Sequence, residues 1–132
     1  MSDGAEIIED DEFLYRRILL WLYNQNDGLK PSPKAFHPGR HDQTGISVYR
    51  AKYTTPAQVA RNDQGKRYYI AILRAGDLHE HGIRVVPKNS GHPPGHAELP
   101  DMTYVNRRTD TVKEAEMLLS QKLCIKVLGP LP

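Results

Sequence analysis

The stretch RYYIAILR, residues 67–74, carries the strongest strand signal in this sequence. It joins aromatic and β-branched residues in a run whose length is typical of a buried strand, so we predict that it lies inside a sheet. The next residues, AGDLHEHG at 75–82, predict one helical turn that Gly82 closes. IRVVP at 83–87 predicts a further strand, and a sheet with short connections is therefore expected to organise the domain.

Upstream of this stretch, ISVYRAKY at 46–53 also predicts a strand, because its side chains alternate in character with a period of two. TTPAQVAR follows and predicts a short helix, since Thr55 stands at the cap, Pro56 at the first helical position and Gln58 at the third. Alternation divides the strand between two faces, Ile46, Val48, Arg50 and Lys52 on one and Ser47, Tyr49, Ala51 and Tyr53 on the other.

Both ends of the domain predict helices. In FLYRRILLWLYN, residues 13–24, apolar residues recur near the 3.6-residue spacing of a helix, although the aromatic and aliphatic content would also suit a strand. In DTVKEAEMLLSQKL, residues 110–123, an apolar stripe and a capping box of Thr111 and Glu114 favour a helix. The apolar positions are Phe13, Leu14, Ile18, Trp21 and Leu22 in the first segment and Val112, Ala115, Leu119 and Leu123 in the second.

Together these elements predict an α+β fold, a loop-rich single domain over residues 12–132 in which a small, mostly antiparallel sheet is covered by the C-terminal helix. Residues 1–11 are expected to form a flexible acidic N-terminus. The strands of the sheet are expected at 46–53, 67–74, 83–87 and 96–99.

Composition limits the possible functions. The chain has 132 residues with ten prolines and ten glycines, which fits one domain with much turn and loop. Its net charge of +2 gives no support for nucleic-acid binding, and no apolar run is long enough to span a bilayer, so we expect a cytosolic protein. The single cysteine, Cys124, excludes an internal disulfide, and its apolar surroundings in LCIKVL predict a small buried hydrophobe.

The loop NSGHPPGHAELPDM, residues 89–102, is the best sequence argument for a functional site. Its prolines fix two φ angles and its glycines allow tight reversals, so the loop is set to deliver the residues that follow to a defined place. If 96–99 is a strand, His96 and Glu98 share a face, and an imidazole beside a carboxylate suits binding or acid–base chemistry. The alternative is that His96 hydrogen-bonds a loop carbonyl and only staples the turn.

Two kinds of site can be drawn from these residues. The first is a metal site, for which the spacing is permissive but no CxxC or HExxH is present, so no metal is expected. The second is a pocket. Its catalytic candidates lie on the predicted strands, in the loop before residue 96 and in the N-terminal segment, and its binding candidates lie in RHD at 40–42 and on the strand at 46–53. The weak metal candidates are His79, His81, His92 and His96, with His37 and His41 in addition; the catalytic candidates are His96, Glu98, Arg17 and Ser47, with Arg16 as a substitute for Arg17; the binding candidates are Arg40, His41, Asp42 and Tyr49.

Three stretches, LYRRI at 14–18, AFHPGRHDQTGISVYRA at 35–51 and PGHAELPDMT at 94–103, together resemble a set of small uncharacterised bacterial proteins in which similar segments recur in this order. The sequence departs from that set at Ile46, where the set has Leu, and at Leu99, where it has Ile. The resemblance covers most of the chain and implies a self-standing bacterial cytosolic domain, without implying an activity.

An early arginine, a strand serine and a late glutamate also follow, loosely, the order found in ADP-ribosyltransferase-like domains, which would imply a small enzyme that binds a nucleotide or NAD. The expectation we favour is a binding or accessory module that recognises another protein through its loop face and its N-terminal segment. Such a module should show an exposed apolar patch, at Trp21, Leu29 or the VLGPLP tail. No cofactor is expected. Such an enzyme and a histidine-rich metal-binding domain are the alternatives, and the sequence decides neither catalysis nor oligomeric state.

Overall fold

The computed structural model describes residues 7–24, 30–62, 64–88, 91 and 93–132. Within these ranges six strands form one sheet in the order β4-β5-β2-β1-β3-β6, and every neighbouring pair is antiparallel. The strands are β1 Phe13–Ile18, β2 Ile46–Arg50, β3 Tyr68–Arg74, β4 Val86–Pro87, β5 His96–Leu99 and β6 Lys126–Leu131.

Helices are short and lie on both faces of the sheet. The predicted C-terminal helix is present, and its stripe of Val112, Leu119 and Leu123 is buried in the main core. The α+β fold with an antiparallel sheet is therefore confirmed. The helices are α1 Pro56–Ala60, α2 Ala75–Glu80 and α3 Asp110–Leu118, which a π-helical turn at Leu119–Leu123 continues, and single 3-10 turns lie at Leu20–Leu22 and Pro33–Phe36.

The helix predicted over residues 13–24 is wrong. Phe13–Ile18 is a strand near the centre of the sheet, between β2 and β3, and the chain then forms one 3-10 turn. Leu14, Ile18 and Leu22 are buried, and their four-residue spacing caused the error. Four is close to one turn of a helix and is also two periods of a strand, so this spacing cannot distinguish the two structures.

Several boundaries differ from those predicted. The strand at 46–53 ends at Arg50, only Val86–Pro87 of the run at 83–87 pairs with a neighbour, and the helix at 110–123 is capped by Thr109 instead of Thr111. The cap at Thr55 is confirmed, since its hydroxyl accepts a hydrogen bond from the Gln58 N–H.

The two faces of the sheet differ in what covers them. The inner face carries the main core, where Leu14, Val48 and Leu73 pack with Phe36 and the C-terminal helix. On the outer face, α1 covers a smaller apolar cluster. That cluster contains the buried residues Val59, Ala60 and Ile70, against which Tyr15, Tyr49, Tyr68, Leu128 and Leu131 pack.

The residues just before β1 pack onto the domain. Ile8 is buried in the main core, and the Asp10 carbonyl accepts a hydrogen bond from the Gly76 N–H. Packing therefore reaches at least to residue 8, ahead of the predicted boundary at residue 12.

A buried ion pair joins the start of β1 to the end of β2. The Arg50 side chain is fully buried, and its Nε and Nη2 donate to the two Glu12 carboxylate oxygens at 2.8 and 2.7 Å. The Glu9 N–H also donates to Glu12, and the Glu12 carbonyl accepts from the Ala75 N–H at the start of α2. Such a pair is costly to break, because the remaining charge stays buried without its counter-ion.

We predict that Glu12→Gln lowers the free energy of unfolding by about 3 to 5 kcal/mol, since it removes the carboxylate charge that is paired with the buried Arg50 guanidinium. Urea denaturation of the two proteins measures the loss. Asp101→Asn is the matched control, because Asp101 forms a similar forked pair with Arg84 at an exposed position, and its loss should be much smaller. Equal losses in the two variants would contradict a special role for the buried pair.

Acid should destabilise the protein partly through Glu12. Burial alone would raise the pKa of Glu12, but the hydrogen bonds from Arg50 and Glu9 and the charges of Arg50 and Lys52 outweigh it and hold the pKa below its usual 4.5. A carboxylate with a lowered pKa stabilises the fold above its unfolded-state pKa, and this contribution disappears as the pH falls through the folded-state value.

We therefore predict that the urea concentration at the unfolding midpoint of the wild type decreases as the pH is lowered from about 6 to about 3. The midpoint of Glu12→Gln should decrease less over the same pH range. Asp101 has a lowered pKa as well, mainly through its hydrogen bond from Arg84, so Asp101→Asn separates that contribution. The same pH slope in wild type and Glu12→Gln would show that Glu12 does not sense acid.

Candidate functional site

Two neighbouring strands bring the main sequence candidates together on the outer face of the sheet. In the antiparallel register of β2 and β5, Ser47 lies opposite Glu98 and Tyr49 lies opposite His96. The prediction that residues 96–99 form a strand is confirmed, and with it the expectation that His96 and Glu98 share a face. We call Ser47, Tyr49, His96 and Glu98 the sheet-face cluster.

The imidazole of His96 is at the centre of this cluster. Its Nε2 lies 2.9 Å from the Ser47 Oγ, a hydrogen-bonding distance, and 3.9 Å from the Glu98 Oε2. The Tyr49 ring lies alongside, with 5.5 Å between ring centroids and an interplanar angle of 33°. His96 is therefore held between a hydroxyl and an aromatic ring, with a carboxylate nearby.

Glu98 is nearly buried and is held by two further side chains. Its side chain is 12% exposed, its Oε1 accepts a hydrogen bond of 2.7 Å from the Thr44 hydroxyl, and the Lys88 Nζ lies 3.5 Å from the same oxygen. The Lys88 main-chain N–H also donates to the His96 carbonyl at 2.9 Å. These contacts fix the carboxylate beside the imidazole.

The environment favours neutral His96 at neutral pH. Burial lowers the pKa of His96 below its usual 6.5, the Glu98 carboxylate opposes this shift, and the positive charge of Lys88 adds to it. A neutral imidazole has one nitrogen able to accept a proton, which is the state that a general base requires.

Gly95 sets the direction in which the loop enters β5. The Arg50 N–H donates to its carbonyl at 2.9 Å, and its φ of +89° lies in the left-handed region. A Cβ built on Gly95 would lie 3.1 Å from the Arg50 carbonyl oxygen and 3.0 Å from the Tyr53 Cβ. The glycine therefore allows the loop to pass close to the end of β2, immediately before the chain presents His96.

The guanidinium groups of the two early arginines donate to backbone carbonyls, and that of Arg16 reaches the sheet-face cluster only through the Ser47 carbonyl. The Arg17 Nε donates to the Val59 carbonyl at 2.8 Å, and its guanidinium lies 4.9 Å from the centroid of the Tyr68 ring. Arg16 belongs to the inner face, where it donates to the carbonyls of Ala35 and Ser47. These contacts account for a structural role of both arginines, which pack against neighbouring side chains and satisfy backbone carbonyls.

The RHD candidates form a turn at a different place. The Asp42 N–H donates to the Gly39 carbonyl, and the Asp42 carboxylate accepts from the Gly39 N–H at 2.7 Å. Arg40 and His41 are exposed at the tip of this turn. Asp42 is thus a turn-forming residue here.

The histidines considered as metal ligands have other contacts. His79 Nδ1 lies 2.7 Å from an Asp10 carboxylate oxygen, and His81 Nδ1 lies 2.9 Å from the Asp77 carbonyl oxygen. Among the residues that the structure describes, no group of three or more histidine, cysteine, aspartate or glutamate side chains could hold a metal ion. His92 lies outside the described residues.

Cys124 is buried, and burial raises the pKa of its thiol. Its Sγ lies 3.6 Å from the Lys126 carbonyl oxygen. The prediction of a small buried hydrophobe is confirmed, because Cys124 belongs to the main core. A buried thiol with a raised pKa is a poor nucleophile.

Two members of the site were missed in the sequence. Thr44 and Lys88 both contact the Glu98 carboxylate, but they lie 54 and 10 positions away from it along the chain. No local pattern connects them, because their contacts depend on the pairing of β5 with β2 and β4. Only knowledge of this register would have identified them.

Comparisons of the chain with protein-family models, curated proteins and solved structures found no match. Within the described ranges, no helix combines the length and the apolar character needed to cross a bilayer.

We predict that Gly95→Ala destabilises the protein by more than the roughly 1 to 2 kcal/mol expected for left-handed backbone alone, because its Cβ would also press on the Arg50 carbonyl. Gly82→Ala is the control: its φ is +74°, and no described atom lies within 4 Å of a Cβ built there. Thermal and urea unfolding compare the two variants. A smaller loss for Gly95→Ala than for Gly82→Ala would show that the close approach at Gly95 imposes no constraint.

Proposed function

We propose that this protein is a small binding module that acts by contact with another protein, in the cytoplasm of a bacterium. Its contact surface is the apolar turn that follows β1, formed by Leu19, Leu20 and Trp21. The cellular setting rests on the resemblance to small bacterial proteins, and the contact surface rests on exposure.

The exposure of Trp21 is the observation that carries the proposal. Trp21 is 74% exposed, and Leu19 and Leu20 beside it are 42% and 45% exposed. Single exposed apolar residues are common, whereas three consecutive large ones concentrate exposed apolar surface at one turn. Tryptophan is also the residue most enriched among those that dominate binding energy at protein interfaces.

The turn is held in a defined shape. Leu22 is buried, its N–H donates to the Leu19 carbonyl at 3.0 Å, and its carbonyl accepts from the Ser32 N–H at 2.8 Å. A surface that is already ordered loses little conformational entropy on binding, which favours its use as a contact.

The other two patches considered from the sequence give less support. The VLGPLP segment lies mostly in β6, where it pairs with β3, and its residues Val127, Leu128 and Leu131 are only partly exposed. Leu29 lies outside the described residues. Trp21 therefore remains as the centre of the proposed surface.

The alternative functions have weaker support. A nucleotide- or NAD-binding enzyme of the ADP-ribosyltransferase type needs an arginine directed at phosphate, whereas Arg17 donates to the Val59 carbonyl. A histidine-rich metal domain needs converging ligands, and the described histidines do not provide a group of three.

We predict that Trp21→Ser abolishes capture of a specific partner while leaving the fold unchanged. Affinity purification from cells that carry the native gene, with quantitative mass spectrometry, should identify a protein retained by wild type and lost by the variant. With that partner purified, the variant should bind about 30-fold more weakly or worse, as expected for an interface residue worth 2 kcal/mol or more.

Val105→Ser is the matched control, because Val105 is 81% exposed and lies in a different loop. It should retain the same partner as wild type. The proposal fails if wild type captures no specific protein, or if Trp21→Ser and Val105→Ser retain the same proteins as wild type while all three unfold at the same urea midpoint.

A further inference from the structure

We propose that Ser47 is a nucleophile for which His96 acts as general base, and that the sheet-face cluster accepts small, unhindered carboxylic esters. This activity is separate from the proposed protein contact, because it uses the outer face of β2 and β5 and not the turn at 19–21.

The contact between Ser47 and His96 is not imposed by strand pairing. The residue directly opposite Ser47 is Glu98, and the residue opposite His96 is Tyr49, so Ser47 and His96 are diagonal neighbours. Their 2.9 Å contact requires the imidazole to lean along the sheet toward the hydroxyl, with the Tyr49 ring alongside it. This is the nucleophile-to-base distance that activated serines use.

Glu98 contributes charge to this pair. Its Oε2 lies 3.9 Å from the same nitrogen that faces Ser47, so the imidazolium formed by proton transfer would lie beside a carboxylate. Thr44 and Lys88 hold the other carboxylate oxygen. The arrangement differs from a serine–histidine–acid triad, in which the acid orients the opposite ring nitrogen. Here the Tyr49 ring stands beside the imidazole instead.

The reaction can be written with all atoms balanced. The Ser47 Oγ attacks the ester carbonyl carbon while its proton passes to the His96 Nε2. The bond from that carbon to the alcohol oxygen then breaks, and the alcohol leaves with the proton from Nε2. Water attacks the acyl-serine, gives one proton to Nε2, and the acid is released as the Ser47 oxygen regains that proton.

The surroundings of Ser47 define the class of ester. Ser47 is partly exposed on the outer face of the sheet, and on the neighbouring strand β1 Tyr15 is the register partner of Tyr49. Both rings belong to the apolar cluster under α1. Because Tyr15 and Tyr49 are partly exposed, we expect a short apolar acyl group to contact their exposed edges while the alcohol portion extends toward solvent.

A fluorophosphonate probe tests the nucleophile directly, because attack by Ser47 forms an oxygen–phosphorus bond, releases fluoride and transfers the hydroxyl proton to His96. Intact mass and peptide mapping should show one label, on Ser47. Ser47→Ala should abolish it, and Ser32→Ala should not change it, since the Ser32 hydroxyl lies in a separate turn where it caps the Lys34 N–H.

His96→Asn should slow labelling by about 100-fold or more, the usual contribution of a general base. The labelling rate should rise with pH and reach half its maximum below the usual histidine value of 6.5, because burial lowers the pKa of His96. Hydrolysis of p-nitrophenyl acetate should follow the same order among the variants. Absence of a label on Ser47, or equal labelling rates in wild type and His96→Asn, would overturn the proposal.

Ser47→Cys provides a second test, with an internal reference in the same molecule. The introduced thiol should react with iodoacetamide near pH 6.5 at least ten times faster than the buried Cys124, and adding His96→Asn should lower its rate about tenfold. Circular dichroism confirms that each variant is folded. An introduced thiol whose rate is the same with and without His96 would show that the imidazole does not activate position 47.

Discussion

The buried charge of Arg50 is the constraint on which the rest of this structure depends. An arginine on the core face of β2 can be accommodated only with a counter-ion, and Glu12, just ahead of β1, supplies it through two hydrogen bonds. The backbone groups of the same two residues hydrogen-bond to neighbouring segments. The Glu12 carbonyl accepts from the Ala75 N–H, and the Arg50 N–H donates to the Gly95 carbonyl. One ion pair thus connects β1, β2, the start of α2 and the loop that enters β5.

This connection explains how a loop rich in glycine and proline can deliver side chains accurately. Gly95 contacts the end of β2 at Arg50, whose side chain forms the ion pair with Glu12. His96 directly follows Gly95 in the chain. From there the register of β5 against β2 places His96 and Glu98 beside Tyr49 and Ser47. The sheet-face cluster is therefore fixed by strand pairing at one end and by the buried ion pair at the other.

Much of this architecture could be predicted from local patterns, and what failed did so for physical reasons. RYYIAILR and HAEL form strands, and Thr55 caps a helix, because each depends on residues close together in the chain. The apolar spacing at β1 does not distinguish a strand from a helix, since a spacing of four residues fits both periods. The role of Arg50 was also hidden, because alternation assigns it to a face without revealing that this face is the core.

The candidate site shows the same division between local and non-local information. That His96 and Glu98 share a face follows from alternation alone, whereas their contacts with Thr44 and Lys88 require the register of three strands. Arg17 shows the opposite case, since its order in the chain suggested a phosphate ligand and its side chain instead satisfies the Val59 carbonyl. Residue order therefore carries less information about a site than strand alternation does.

Nucleophilicity in this protein is decided by surroundings more than by residue type. A thiol is intrinsically the better nucleophile, and Cys124 is the only cysteine in the chain, but burial raises its pKa and the apolar core surrounds it. Ser47 is a weaker nucleophile by chemistry, yet it is partly exposed and lies 2.9 Å from an imidazole that burial keeps neutral. Reactivity is thus expected at the partly exposed Ser47 on the outer face of the sheet and not at the buried Cys124 in the core.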